Sequence, residues 1–345
     1  MTKIEPNLSE KKHEMTALAK ELVAAASGSQ GVQLIKSSPP PTRENELLFF
    51  FKPEVFLPGA HTAKLVETGL DLLTSFDIEI SASIVIPGPE LERLTIMDTH
   101  YGYINTLSRR ASLELDASQL AAVRKGVGAD AKTPVLGGHE VLARFPEYTA
   151  DSLNQLWSTK PSVKLRSGLY LQQYEFAGSP IVVVNGFHPE QLAYFTAPDR
   201  KIGLFVLHTN LPWRFLRQRV LGDTFPERAL PGTLRRHYFD QAGDYGLSNV
   251  SIANNCAHLS AGPFEAGFEL QNFLGRVGKG KYDAGKTNLG QRLKASELQF
   301  ALTNPVTALN TKDVSLFDAT EEMDTTGAVE ILRTQYAGSA AATTG

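Results

Sequence analysis

Cysteine is almost absent. Cys256 is the only one in 345 residues, so no disulfide can close within the chain, and a lone thiol fits a reducing cytoplasm. No run of about eighteen or more apolar residues occurs, and the most apolar stretch, ELLFFF, is far too short to span a bilayer. The N-terminal MTKIEPNLSEKKHEM is polar and has no signal-peptide apolar core. A soluble cytoplasmic protein with no membrane partner is therefore expected. There is no long basic run, and the net charge is −3. Electrostatic binding of nucleic acid is not expected, although small phosphorylated ligands, held by local charge, stay open. The 8 histidines include no H-E-x-x-H and no partner C-x-x-C. GGHEVLA around His139 lacks a second histidine four residues on, which argues against zinc. No internal repeat is found.

What is present suffices for a large core: 42% of residues are hydrophobic and 21% charged. The length suggests two domains, or one carrying a large insertion. Apolar spacing and a cap at Ser9 predict a helix over 9–26, followed to residue 45 by a linker rich in Ser, Gly and Pro. The continuous apolar run Leu47 to Phe51 reads as a central buried strand ending at Lys52-Pro53. A helix over 60–75, a strand over 76–86 and helical character over 88–111 follow. Residues 111–195 read as an inserted subdomain with strands in GLYLQQYEF and SPIVVVNGF. The chain then returns to a buried strand (RKIGLFVLHTNLPW), a helix (FLRQRVLG), a loop (DTFPERALPGTLRRHYF), a strand-like NVSIANNCAHL and a helix (PFEAGFELQNFLG). Beyond 280 come a basic, Gly-rich stretch, a helix from LGQRLKASELQFAL and a terminal AGSAAATTG that reads as disordered. The expected divisions are 1–45, a core of 46–110 with 196–280, the insertion 111–195, and a C-terminal extension 281–345.

GKYDAGKT, Gly280 to Thr287, satisfies the phosphate-loop pattern G-x-x-x-x-G-K-[ST]. The chemistry of that loop needs a buried strand feeding it and a helix leaving it. Here QNFLGRVGK reads as the end of a helix and a polar loop, so a chance match is expected and Lys286 carries only a minor alternative.

Cys256 and His258 are two apart, so on a strand they face one side. A cysteine–histidine nucleophile pair competes there with a cysteine that merely fills space. Glu269 lies eleven residues past His258. A helix starting near Pro263 can fold back so that this carboxylate reaches the imidazole. A carboxylate on one ring nitrogen fixes the tautomer and presents the other as a nucleophile. The competing reading is a structural histidine, with Glu265 a solvated residue near the positive end of the helix dipole.

Two further segments bear on that choice. Leu221, Gly222, Thr224, Pro226, Ala229, Pro231, Gly232, Thr233, Leu234 and Arg235 form L-G-x-T-x-P-x-x-A-x-P-G-T-[IL]-R. Asn255, His258 and Ser260 form N-x-x-H-x-S, with Glu269 at its spacing. Upstream stand Lys52-Pro53-Glu54 after a strand, and the pair His100-Tyr101. Over roughly 46–110 and 196–275 the chain resembles the nucleoside diphosphate kinase family. The resemblance implies an α/β, ferredoxin-like sandwich in β-α-β-β-α-β order with a four-stranded antiparallel sheet. It implies phosphoryl transfer between nucleoside triphosphates and diphosphates through a phosphohistidine at His258 oriented by Glu269. Lys52 and Arg235 would neutralise phosphate, Thr224 would donate to it, Asn255 would contact the sugar, and Tyr101 would lie near the transferred group. Mg²⁺ would bridge phosphates with few or no protein ligands. An ordinary imidazole, with a pKa near about 6.5, is largely neutral at pH 7, as a nucleophile must be. Family members assemble as hexamers or tetramers, so a homo-oligomer is open, though so large an insertion could block it.

The chain departs from the pattern at three places. The resemblance places an arginine six residues before Thr224, where Gln218 stands between Arg217 and Arg219. A small register change lets either arginine serve, with Arg219 among the expected nucleotide-binding residues, or the site has lost a charge. Leu259 and Ala261 replace the glycine and aspartate that flank Ser260 in the family. These departures keep open a second function: a weak or inactive nucleotide-binding regulatory module. Plainer readings also stand beside the residue roles, with Lys52 a strand end, Arg235 and Arg236 a solvated pair, and Tyr101 a packing residue.

Overall fold

The computed structural model describes residues 8–28, 31–278, 282–309 and 312–336. The nine strands used below are β1 (Gln33–Ser37), β2 (Asn45–Phe51), β3 (Ile78–Pro87), β4 (Val135–Gly137), β5 (Val163–Arg166), β6 (Leu169–Phe176), β7 (Ser179–Val184), β8 (Lys201–Thr209) and β9 (Ala257–Leu259). The protein is mixed α/β and divides into two compact units, Met1–Glu90 with Pro198–Gly345, and Leu91–Ala197.

The first unit is built on an antiparallel sheet in the order β1-β3-β8-β2-β9. NELLFFF is buried on both faces, as its unbroken apolar run predicts. Leu47, Phe49 and Phe51 enter the core formed by the helices Leu8–Gly28, Thr62–Thr74 and Leu234–Asp240, with Leu22, Leu70 and Tyr238 among its buried members. Alternation sends Leu48 and Phe50 to the opposite face, where Phe50 meets Phe273 at 5.7 Å between ring centroids. Helix Pro263–Leu270 packs on β2 there.

The sheet has five strands, not the four expected. The extra one, β1, lies inside the stretch read as a linker and pairs with β3 at the edge. Ser and Pro residues around QLIKS hid a segment whose backbone needs only one neighbour. The segment read as one helix over 88–111 is three, Gly88–Arg93, Ile96–His100 and Gly102–Glu114, with Thr95 left-handed (φ 50) at the break. DTFPERALPGTLRRHYF, read as a loop, ends in the helix Leu234–Asp240. The strand predicted near NVSIANNCAHL is confined to Ala257–Leu259.

C-terminal residues add to the first unit. Leu289, Leu298, Leu316 and Val329 share a core with Phe264. Asn45 is fully buried and ties the segment down: its Nδ2 donates to Asp324 Oδ1 (2.9 Å) and Leu211 O (3.0 Å), and its Oδ1 accepts from the Thr325 N–H (3.0 Å). AGSAAATTG lies outside the described residues.

The second unit begins at Leu91 rather than at the expected 111. The chain leaves the sheet at Pro87 and returns to it at Lys201, which are cross-strand partners, so in sequence the unit is an insertion between two paired strands. Its own sheet runs β4-β7-β6-β5, with Leu107, Val123, Leu171 and Val184 on one side and Val141, Leu153, Phe176 and Val183 on the other. Among the described residues, no helix is long and apolar enough to cross a membrane.

Candidate functional site

Residues 253–260 run along the end of β2. Lys52 N donates to Cys256 O (2.9 Å), Ser260 N donates to Leu48 O (3.0 Å), and Phe50 pairs with His258. Buried Cys256 has φ 65, a left-handed backbone that a non-glycine residue adopts at a cost. The Glu54 carboxylate, almost fully buried, holds the Cys256 N–H at 2.7 Å. The thiol is enclosed and burial pushes its pKa up, so Cys256 fills space and offers no thiolate for a nucleophile pair.

His258 lies on the Phe50 face, its ring stacked on that phenyl at 4.6 Å. Helix Pro263–Leu270 brings Glu269 Oε1 to 2.7 Å from His258 Nε2. The Glu269 side chain is 1% exposed and the His258 side chain 19%. Ser260 Oγ donates to the other carboxylate oxygen (2.5 Å) and accepts from Leu48 N (3.1 Å). A carboxylate only accepts, so Nε2 carries the proton and Nδ1 carries the lone pair.

Arg235, read alternatively as solvated, is buried. Its Nη1 donates to Gly222 O (3.1 Å) and its Nη2 to Ala257 O (2.9 Å), while Nε is buried without a hydrogen-bond partner. Burial, then the charge of Arg217, pulls its pKa down. Gly222 explains the glycine of the motif: φ is 94, and a Cβ there would come within 2.5 Å of Thr233 Oγ1. Lys52 is half-buried, and its Nζ donates to Ala253 O at 3.1 Å. Burial brings its pKa down to about 8, opposed by Glu54. Asn255 donates through Nδ2 to Thr224 O and Ile252 O, and its Oδ1 is buried without a partner. The Thr224 and Arg219 side chains are exposed.

Lys52, Arg235, Asn255, His258, Ser260 and Glu269 thus gather within the first unit. Tyr101 belongs to the second, where its ring lies edge-on to His188 at 5.6 Å. Of the two arginines beside Gln218, Arg219 is exposed and Arg217 meets the strand. Leu216–Leu221 is π-helical, with Gly222 N bonded to Arg217 O. The wider turn accommodates one extra residue, so Arg217 faces the strand, and its Nη1 donates to Leu259 O at 2.9 Å. Gln218 points to Glu322 (2.9 Å).

Three further residues carry no signal in the motif. Phe50 supports the imidazole ring. Glu265 is half-buried rather than solvated, and its Oε2 accepts from Ala261 N (3.2 Å). That contact holds the backbone ahead of helix Pro263–Leu270, whose N-terminus has no side-chain cap. Burial, then the neighbouring Glu269 charge, raises the Glu265 pKa to about 8. Glu322 N donates to Ala261 O (2.9 Å), so the C-terminal segment also touches the turn after His258.

The phosphate-loop match has only half of the required context: a short helix, Asn288–Arg292, leaves it. Residues 271–277 are helical, no strand feeds the loop among the described residues, and Lys286 is 77% exposed beside Asp283.

No protein-family model matches this chain, and no curated protein is detectably similar to it.

Proposed function

We propose that the protein transfers a phosphoryl group from a nucleoside triphosphate to a nucleoside diphosphate through His258, as the motif resemblance implies. The observation that carries the reading is the His258 Nε2–Glu269 bond, buttressed by Ser260. It supports a proton on Nε2 and a nucleophilic Nδ1. Nδ1 attacks the terminal phosphorus, the N–P bond forms as the bridging P–O bond breaks, and the diphosphate leaves with that electron pair. A terminal oxygen of the second diphosphate then takes the phosphoryl group, and the N–P bond breaks. Glu269 stabilises the charge that the ring acquires. Lys52 and Arg235 contribute positive charge beside the strand, and such positioning and neutralisation are most of what phosphoryl transfer requires.

Mg²⁺, bound with the substrate, would supply neutralisation of the phosphate oxygens. The carboxylate at His258 suits that arrangement, because Glu269 already holds His258 and Ser260. The order β3-β8-β2-β9, with helices between β2 and β3 and between β8 and β9, supports a ferredoxin-like sandwich to which β1 is an edge addition. A single buried thiol is in keeping with a cytoplasmic setting.

A second reading, a nucleotide-binding regulatory module, draws on one observation. Both Nη atoms of Arg235 already donate to backbone carbonyls, which weakens the case for a phosphate ligand there. Incubation with Mg²⁺ and γ-labelled ATP separates the two. The kinase reading expects an acid-labile, base-stable label that His258→Ala abolishes and Lys286→Ala retains. Absence of label together with nucleotide-dependent thermal stabilisation would establish the module instead.

A further inference from the structure

His258 stands on a strand only three residues long, bounded by left-handed Cys256 and by the turn at Ala261–Gly262. The strand lies at the edge of the sheet. Its 256, 258 and 260 backbone groups face β2, so by alternation the carbonyls of Ala257 and Leu259 face outward. So short an edge has little ladder to hold it and would fray. Two guanidinium groups close that edge. Arg235 donates to Ala257 O at 2.9 Å, and Arg217 donates to Leu259 O at 2.9 Å. The carbonyls immediately before and after the proposed nucleophile are each held by an arginine. On the far side of Arg217 stands Glu321, 3.9 Å away, in the segment whose Glu322 N–H binds Ala261 O.

We propose that Arg217 is a positioning residue for His258: with Arg235 it closes the open edge of β9 and keeps the imidazole registered against Glu269. This rests on the phosphohistidine reading for its effect on catalysis, but the positioning itself is a property of the unligated protein. The π-turn at Leu216–Leu221 then has a purpose, because it turns Arg217 rather than Gln218 toward the strand. Arg217 acts through the backbone and touches no reacting atom.

The test uses the full-length chain with Arg217→Met and Arg217→Lys. In the unligated proteins, the His258 Nε2–H resonance is followed by nitrogen-edited NMR. Where label transfer occurs, kcat and KM are measured. R217M is expected to broaden or lose the resonance and to lower kcat by about ten- to a hundred-fold, the scale of a misplaced reacting group, with KM nearly unchanged. R217K, which keeps one donor for Leu259 O, is expected to recover much of both. An unmoved, sharp resonance in folded R217M would overturn the proposal, as would a defect confined to KM, which would make Arg217 a phosphate ligand. Should R217M not fold, Arg217→Gln, polar but too short to reach Leu259 O, takes its place: a broadened or lost resonance supports the clamp, and a sharp, unmoved one overturns it. If wild-type protein takes no label, the function fails, yet the resonance still decides the positioning.

Discussion

Glu269 is the side chain on which the chemistry at His258 turns. Its carboxylate is enclosed, accepts from both Nε2 and Ser260 Oγ, and cannot be replaced by water. Glu269→Gln keeps the shape but can donate to Nε2, favouring the tautomer with its proton on Nδ1. Phosphoryl labelling of His258 is expected to fall by about a hundred-fold or more, and an undiminished rate of labelling would remove the dyad from the mechanism. Lys52 makes a pH prediction. Its folded pKa of about 8 lies below the ordinary 10.5, so its charge is lost as pH rises through about 8. Nucleotide affinity, measured by calorimetry, should therefore weaken between about pH 7 and 9 in wild type. In Lys52→Met it should be weaker throughout and nearly flat over that interval. For stability the sign is opposite: the unfolded chain holds the extra proton between about 8 and 10.5, so this group's contribution improves with pH there.

Among the elements, helix Pro263–Leu270 carries an acidic pair on one face, one turn apart. Glu269 serves the imidazole, while Glu265 reaches back to Ala261 N and has its pKa raised to about 8. A carboxyl whose folded pKa exceeds its unfolded value of 4.5 stabilises below 4.5, and that contribution is lost as pH rises from 4.5 to about 8. Glu265→Gln should remove this slope and make the protein more stable than wild type near pH 8, as read by urea unfolding at several pH values. Glu46, raised to about 7 mainly by burial, leaves a smaller slope of the same sign in the variant. An unchanged pH profile would show that Glu265 titrates normally. The π-turn over Leu216–Leu221 is the other element with consequences. Nothing in FLRQRVLG distinguishes it from an α-helix, and one residue of register decides whether Arg217, Gln218 or Arg219 faces β9.

At the level of the whole molecule, the C-terminal segment is part of the first unit through Asn45. Asn45→Ala strands the Thr325 N–H and removes one of two donors from Asp324 Oδ1, which keeps the Trp213 N–H, and should cost about 3 kcal/mol for several buried hydrogen bonds. Chemical denaturation measures it, and a loss under about 0.5 kcal/mol, the scale of a surface change, would mean the segment is not anchored there. The second unit should fold alone. Leu91–Ala197 has its own sheet and core, and Asn185, left-handed at φ 49, accepts from Tyr170 N while donating to Ile104 O and Gly168 O. An excised 91–197 fragment should show a cooperative thermal transition by circular dichroism, and a fragment without one would refute its independence.

Much of this was legible in the residues themselves. Leu47 to Phe51 could only be a doubly covered strand, because five adjacent apolar side chains need partners on both faces. Glu269, eleven residues past His258 across a Pro-started helix, was within reach of the imidazole on spacing alone. Other features depended on contacts distant in sequence. QLIKS is a strand because β3 offers it an edge. Ala261 gains a carboxylate because Glu265 turns back to it. Arg235 is an interior cation because Gly222 and Ala257 turn their carbonyls toward it. Local pattern records which face a segment must bury, and so it determined the core strands and the reach of the dyad. Which arginine meets the strand, and which carboxylate loses its charge, depends on one-residue registers and on low-dielectric surroundings assembled from the whole first unit, and only the tertiary structure decided those.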